Sequence, residues 1–266
     1  MAKIGFIGAG NMGGALLRAA AKKVDPKEIL VADINQKAVD AWVSELGVVA
    51  ADNNTIAAQA EYIYLAVKPQ FMKDMLSGIA PALAARKDRF ILVSIAAGMT
   101  TEMLTAMAGD PSYPIIRIMP NMPAAVGEGG ILYTRSSNVT DEELAYYLNV
   151  MEKAGRFFPL AEHLIDAGSS VQGCAPAFAA MFVEALADGG VACGLPRALS
   201  YELAEQMMLG TAKMLLEGMH PAALKDAVCS PGGTTIQGVR TLEKYGMRTA
   251  LFEAVIAATE KNKDFR

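Results

Sequence analysis

Through the first 160 residues, short apolar runs alternate with stretches whose apolar positions recur at helical spacing. The runs Lys3–Ile7, Ile29–Ala32, Tyr62–Val67, Phe90–Ser94 and Pro114–Ile118 read as strands buried on both faces. Between them Met12–Ala21, Gln36–Leu46, Phe71–Leu83 and Thr101–Met107 read as helices. Such alternation calls for a parallel sheet with crossover helices on both faces. Thr140 and Glu143 have the spacing of a capping box and open a helix expected through Lys153. Arg156–Leu160 then predicts an edge strand, because Pro159 has no N–H to give to a ladder.

After Asp166 only helical periodicity remains, over Pro176–Val191, Pro196–Leu216, Pro221–Ala227, Thr234–Lys244 and Met247–Lys261. Pro196 suits a first helical position and Gly246 a helix end. The reading is therefore an α/β region over residues 1–160 followed by an all-helical region over 161–266. The segment Glu205–Leu216 is apolar around much of its circumference. Ordinary core accounts for that; so does burial against a second copy of the chain, since five helices have little interior of their own.

Composition narrows the classes. Of 266 residues 53% are hydrophobic and 20% charged, enough for a substantial core. The net charge of -4 has no block of like sign, which argues against a nucleic-acid partner. No secretory signal is legible at the start, and Ala167–Val183, the longest charge-free run of the middle, falls short of a membrane span. Three cysteines without CxxC spacing and two histidines make disulfides and a structural metal poor expectations. A cytoplasmic protein is expected.

The chemistry begins at "GFIGAGNMGGAL", where Gly8, Gly10 and Gly13 form G-x-G-x-x-G directly after a strand and at the opening of a helix. Gly8 makes the tight turn, Gly10 admits a pyrophosphate to the backbone, and Gly13 lets helix and strand close up. The helix N-terminus then offers N–H groups to the phosphates, so a dinucleotide is expected there. Asp33 stands twenty residues past Gly13 at the tip of the second strand. A carboxylate there accepts from the adenosine ribose and repels a 2′-phosphate, which favours NADH. Two alternatives stand beside that reading: Asp33 caps the helix beginning near Gln36, or Asn35 and Lys37 contact a phosphate and NADPH is used. The loops Ala66–Val67–Lys68–Pro69 and Ala96–Met99 follow two further strands at the same sheet edge, where open parallel sheets bind ligands.

Several stretches together resemble the pyrroline-5-carboxylate reductases: "IGFIGAGNMGGAL", "AVKPQ", "VSIAAGMT", "RIMPNMPAAVGEG", "FVEALADGGVACGLPRALS" and "HPAALKDAVCSPGGTTIQGVRTLE". The resemblance implies a Rossmann domain followed by a helical dimerisation domain, with dimers assembling into larger rings such as decamers. It implies reduction of the cyclic imine 1-pyrroline-5-carboxylate to L-proline by NADPH or NADH. By the same resemblance, Gly8, Ala9, Gly10, Asn11, Met12, Gly13, Asn53, Lys68, Ala97 and Gly98 are cofactor positions. Asn121 lies near the nicotinamide. Ser230, Gly232, Gly233, Thr234 and Thr235 cradle the substrate carboxylate, with Thr235 near the imine nitrogen. The substrate is implied to sit between nicotinamide and this cradle. The chain departs from the family at Gln172, Cys174, Phe178 and Met122, where serines, a tyrosine and a threonine are common.

That chemistry suits the residues. The cofactor carries the hydride, and a protonated imine needs no obligatory base, which fits histidines that stand in no catalytic motif. Gly232 and Gly233 can expose successive N–H groups, and Thr234 and Thr235 open the next helix, where its dipole favours an anion. A plain interhelical turn with an N-cap threonine would use the same residues. A hydroxy- or keto-acid dehydrogenase would instead want an acid/base such as Lys213 or Lys225. A dinucleotide sensor without chemistry would need no cradle at all.

Overall fold

The structure is a computed structural model and describes residues 2–262. Eight strands form one sheet: β1 (Ala2–Ile7), β2 (Ile29–Ala32), β3 (Val49–Ala50), β4 (Ala60–Leu65), β5 (Ile91–Ser94), β6 (Ile115–Met119), β7 (Gly129–Arg135) and β8 (Gly155–Pro159). Their order is β3-β2-β1-β4-β5-β6-β7-β8. All neighbours are parallel except β6 and β7. The first six strands thus follow the doubly wound dinucleotide-binding order, which reverses between β1 and β4. Helices α1 (Asn11–Ala20), α2 (Gln36–Leu46), α3 (Asn53–Gln59), α4 (Pro69–Ala84), α5 (Thr101–Ala108) and α6 (Asp141–Val150) connect or cover the strands.

The strands are buried on both faces because successive side chains enter two separate apolar clusters. Ile4, Phe6, Tyr62 and Tyr64 pack with Leu16, Leu17 and Val150 on one side. Ile7, Ile63 and Leu65 pack with Ile56, Met72 and Leu76 on the other. Phe6 and Tyr64 stack with ring centroids 4.3 Å apart. The capping box is present: Thr140 Oγ1 accepts from the Glu143 N–H and Glu143 Oε2 from the Thr140 N–H. The helix ends at Val150, short of Lys153, because the chain tightens into a 3-10 turn over Glu152–Ala154 before β8. β8 is the edge strand that Pro159 predicts.

Three of these elements have no counterpart in the sequence reading, β3, α3 and β7, and neither has the short helix over Ile165–Ser169. The first is two exposed residues. The second is a seven-residue helix started by Asp52, whose Oδ1 accepts from the Thr55 N–H at 2.7 Å. β7 runs antiparallel to β6 with burial that fades along its length.

The chain divides into two compact units, one of residues up to Gly173 with those from Ala258 on, the other Cys174–Ala257. The change from sheet to helix expected at 160/161 lies between β8 and a 3-10 turn over Glu162–Leu164. Helix α7 (Ile165–Ser169) continues through a π-helical turn, Ser170–Cys174, into α8 (Ala175–Ala192). The second unit then holds α9 (Arg197–Leu216), α10 (Pro221–Val228), α11 (Thr234–Lys244) and most of α12 (Met247–Lys261). Ser200 of α9 donates to the Ala187 carbonyl of α8 at 2.8 Å, a close approach that Gly190 makes possible. By length and composition the run Glu162–Ala192 is apolar enough to cross a membrane, more than the window Ala167–Val183 suggests.

Inside the first unit, the Tyr64 hydroxyl donates to the Tyr147 hydroxyl at 2.9 Å, and burial pushes both phenols well above their ordinary range. Removing only the acceptor leaves Tyr64 without a partner. Tyr147→Phe is expected to cost about 1–3 kcal/mol in urea unfolding, and Tyr64→Phe added to it to restore part of that loss. Strict additivity of the two changes would contradict the coupling.

Candidate functional site

The carboxyl edge of the first unit gathers most of the expected cofactor residues. Gly8, after β1, has φ +100°, and a Cβ there would meet the Ala66 carbonyl oxygen at 2.5 Å. A Cβ on Gly13 would meet the Gly8 carbonyl oxygen at 2.5 Å. Only glycine allows the turn after β1, the first turn of α1 and the end of β4 to approach this closely. Gly10 differs: a Cβ there would find open space, so its vacancy serves something other than packing within the chain. It is the N-cap of α1 and gives no side-chain cap, which leaves first-turn N–H groups for an anion. The residues present therefore fit the pyrophosphate of a dinucleotide.

The Ala9 peptide between the glycines is held at both ends. Its N–H donates to Asp33 Oδ2 at 2.7 Å, and its carbonyl accepts from Trp42 Nε1 at 2.9 Å. Asp33 Oδ1 accepts from the Asn35 N–H at 2.8 Å. Asp33 thus does not cap α2, whose N-cap is Asn35 without a side-chain bond. Trp42 was not anticipated. Its signal is a lone tryptophan on the helix after Asp33, nine residues on and facing the glycine turn.

Lys68 is exposed as the N-cap of α4, with Pro69 at the first helical position. Ala97 and Gly98 form a turn after β5, Gly98 at φ +74°. Asn53 opens α3. Asn11 and Met12 lie in the first turn of α1. Asn121 is buried just beyond β6; its Nδ2 donates to the Gln172 carbonyl at 2.9 Å and its Oδ1 accepts from the Gly130 N–H at 3.0 Å. Gln172 Nε2 in turn donates to the Met119 carbonyl at 3.0 Å. The glutamine found at a departure from the family pattern therefore pins the loop that carries Asn121.

Beneath this edge Arg117, 1% exposed, donates through Nη1 to Glu162 Oε1 at 2.7 Å. Glu162 also accepts from the Thr101 N–H and hydroxyl at 3.1 and 2.6 Å. Burial raises the carboxyl's pKa, but these donors outweigh it and hold the group below the ordinary carboxylate range. Neither residue stands out in the sequence, because a central-strand arginine has no motif.

In the second unit, Gly232 at φ +71° and Gly233 lead into α11. The Gly233 N–H donates to the Ser230 carbonyl at 3.0 Å, and the missing side chain of Gly233 leaves room for Ser230 Oγ. The N-cap is Gly233, without a side-chain bond, so the threonine cap of a plain interhelical turn is not formed. Thr234 and Thr235 are the first two helical residues. The turn is built as an open helix N-terminus of eleven residues with Ser230 and two threonine hydroxyls nearby in sequence. His220 Nδ1 accepts from the Ala222 N–H as the cap of α10, a structural task. Lys225 is paired with Asp226, which raises its pKa and unsuits it as a base; Lys213 is exposed.

The sheet order, the glycine turn at its switch point and the open α1 N-terminus define a dinucleotide-binding protein. The comparisons agree and go further. Residues 162–265 match the profile for pyrroline-5-carboxylate reductase dimerisation, and residues 3–98 that for NADP oxidoreductase, coenzyme F420-dependent. The chain is 44% identical to pyrroline-5-carboxylate reductase of Escherichia coli over 98% of this chain and 97% of that one. It is 39% identical to the enzyme of Methanosarcina acetivorans over 98% and 97%. The solved Plasmodium falciparum pyrroline carboxylate reductase with NADP bound superposes with a TM-score of 0.88, at 31% identity over 99% and 98% of the two chains. The chain belongs to the pyrroline-5-carboxylate reductase family.

Gly8 and Gly10 separate packing from ligand approach. Gly8→Ala is expected to lower the melting temperature and abolish dinucleotide binding, because the Ala66 carbonyl cannot yield. Gly10→Ala is expected to keep the melting temperature and weaken binding. Paired melting curves and dinucleotide titrations check both; a Gly10→Ala protein that binds normally would remove the pyrophosphate from this turn.

Proposed function

We propose that this chain reduces 1-pyrroline-5-carboxylate to L-proline, the last step of proline biosynthesis, with NADPH or NADH as reductant. The observation that carries the reading is the pairing, in one chain of this family, of a glycine turn at Gly8, Gly10 and Gly13 before an open helix N-terminus with a second open helix N-terminus at Gly233. A reduced nicotinamide dinucleotide, when bound, supplies the hydride for the C=N carbon. The chain's own residues bind and orient. The turn of Gly8, Ala9, Gly10, Asn11, Met12 and Gly13 holds the pyrophosphate through the free first-turn N–H groups of α1, Asp33 holds the adenosine ribose, and Asn53, Ala66, Val67, Lys68, Pro69, Ala97 and Gly98 hold the remainder of the cofactor. The Gly232 N–H and the N–H groups that open α11 at Thr234 and Thr235, aided by the α11 dipole, hold the substrate carboxylate, while Gly233 spends its own N–H on the Ser230 carbonyl and keeps the approach free of a side chain. Thr235 and Ser230 place hydroxyls at the ring nitrogen, and Asn121 orients the substrate. Fixing both partners in reacting geometry is the chain's main contribution to rate. A substrate that arrives protonated needs no base from the chain.

In this reading residues 1–160 are the dinucleotide-binding domain and 161–266 the helical dimerisation and substrate domain. The homo-oligomer is at least a dimer, with the decamer as the larger assembly implied by the family. The enzyme is cytoplasmic, binds no nucleic acid and does not enter a membrane. What supports self-association is that, of Cys174–Ala257, only Ala187, Ser200 and Ala204 are buried, while Leu199, Leu203 and Met207 stand exposed at i, i+4 spacing on α9.

Incubation of the purified protein with NADH or NADPH and 1-pyrroline-5-carboxylate is expected to yield proline with substrate-dependent oxidation of the cofactor; tight cofactor binding without turnover would sink the reading. Thr235→Ala is expected to lower kcat by about tenfold or more, one hydrogen bond's worth, while dinucleotide affinity is kept. Unchanged turnover would take the role from Thr235. By sedimentation at micromolar concentration the protein is expected to be a dimer or larger, and Leu203→Asp with Met207→Asp to shift it to smaller species. A monomer in the unmodified protein would overturn the assembly.

A further inference from the structure

We propose that Asp33 makes this chain select the dinucleotide with a free adenosine 2′-hydroxyl, NADH, over its 2′-phosphorylated counterpart. The proposal rests on the dinucleotide reading of the first unit and decides what that reading leaves open.

Asp33 is not a loose surface carboxylate. The Ala9 N–H holds one oxygen at 2.7 Å and the Asn35 N–H holds the other at 2.8 Å. A backbone donor on each oxygen fixes the plane of the group, so swinging away from an arriving anion would break both bonds. Each oxygen keeps a second lone pair, which a ribose hydroxyl can use and a phosphate cannot. A 2′-phosphate brings close to two negative charges and only acceptors.

A chain that takes such a phosphate needs cations to offset that charge, and this turn is poor in them. The position after Asp33 is Ile34, fully exposed, which offers apolar surface to a base and nothing to a phosphate. Asn35 is neutral. Gln36 is neutral too, and its Nε2 donates to Asp40 at 2.9 Å. Lys37 is the single cation from residue 33 to 40, against Asp33 and Asp40. It is exposed, a hydrated point charge on a flexible stem, without the planar fork by which arginine grips phosphate. Arg18 is committed elsewhere: it donates to Glu45 at 3.0 and 2.8 Å and lies over the Trp42 ring at 5.0 Å. The N-terminus of α2 attracts an anion, but the Asn35 N–H beside it is already spent on Asp33. The fixed, half-buried carboxylate outweighs a screened lysine.

The same geometry supplies a reporter. Trp42 is the only tryptophan, its indole N–H holds the Ala9 carbonyl, and its ring packs on Gly14. NADH and NADPH are titrated separately into the intact protein, with Trp42 emission and calorimetry as readouts independent of turnover. NADH is expected to bind at least about tenfold more tightly, a difference of roughly 1.4 kcal/mol. Added salt is expected to narrow the gap by screening the repulsion of the phosphate. Ile34→Arg is expected to tighten NADPH about tenfold with little change for NADH, and Asp33→Asn, which keeps an acceptor for the Ala9 N–H, to shrink the ratio. Equal or tighter binding of NADPH by the unmodified protein overturns the proposal, as does a ratio that neither variant moves. Binding of neither dinucleotide would overturn the cofactor reading beneath it, a result distinct from a reversed preference.

Discussion

The close approach of three backbone segments at Gly8 and Gly13 governs the first half of the molecule. Gly8 rests on the Ala66 carbonyl, and Gly13 on the carbonyl of Gly8. Backbone meeting backbone fixes the level at which β1 and β4 end and the angle at which α1 leaves the sheet. The strand order reverses at that same place, so the space over the strand ends is free of crossover connections. Gly8, Gly10 and Gly13 put no side chain at the points where the turn meets its neighbours or faces open space. The Ala9 peptide, tied to Asp33 on one side and Trp42 on the other, keeps the turn in shape before any ligand arrives.

Farther along the sheet, polar groups hold elements together where apolar contact does not fix register. Arg117 lies in the central strand β6 and reaches Glu162 at the start of the helical run, while Glu162 also caps the Thr101 end of α5. Asp166 stands 3.7 Å from the same guanidinium. Nε and Nη2 of Arg117 have no hydrogen-bond partner among the described residues. A buried ion pair of this kind contributes little net stability, because desolvation offsets most of the attraction. What it contributes is position: it ties β6, the turn after β5 and the entry to α7 to one another, and Gln172 and Asn121 extend the tie to the loop after β6.

Elements with strong local signals were legible in the sequence. The runs at Ile29–Ala32 and Gln36–Leu46 agree with β2 and α2 residue for residue, because an unbroken apolar run and a 3.6-residue stripe each exclude the other. β7 escaped because only Ile131, Leu132 and Tyr133 are apolar between glycines and a polar end, and its partner lies antiparallel, where the alternation rule predicts a crossover. α3 escaped because "NNTIAAQ" is short and opens with poor helix formers; tertiary packing of Ile56 and Ala57 makes it a helix. At the candidate site the glycines were legible since their spacing encodes backbone geometry. The partners of Asp33 were not, because a hydrogen bond between residues 24 apart depends on how two loops meet.

The two units differ in how far burial within one chain completes them. The sheet unit closes both of its apolar faces with its own helices. The helices from Cys174 to Ala257 enclose almost nothing, yet they carry the turn of Gly232 and Gly233 and the start of α11. Such helices gain little from isolated propensity and most of their order from packing on a partner surface. In a family whose helical region is its dimerisation region, association then stabilises the helices by mass action, and the open helix start at Gly233 is ordered along with them. A weakened interface therefore loosens the turn at Gly232 and Gly233 before it loosens the glycine turn after β1, whose shape rests on Gly8, Gly13, Asp33 and Trp42 of the sheet unit.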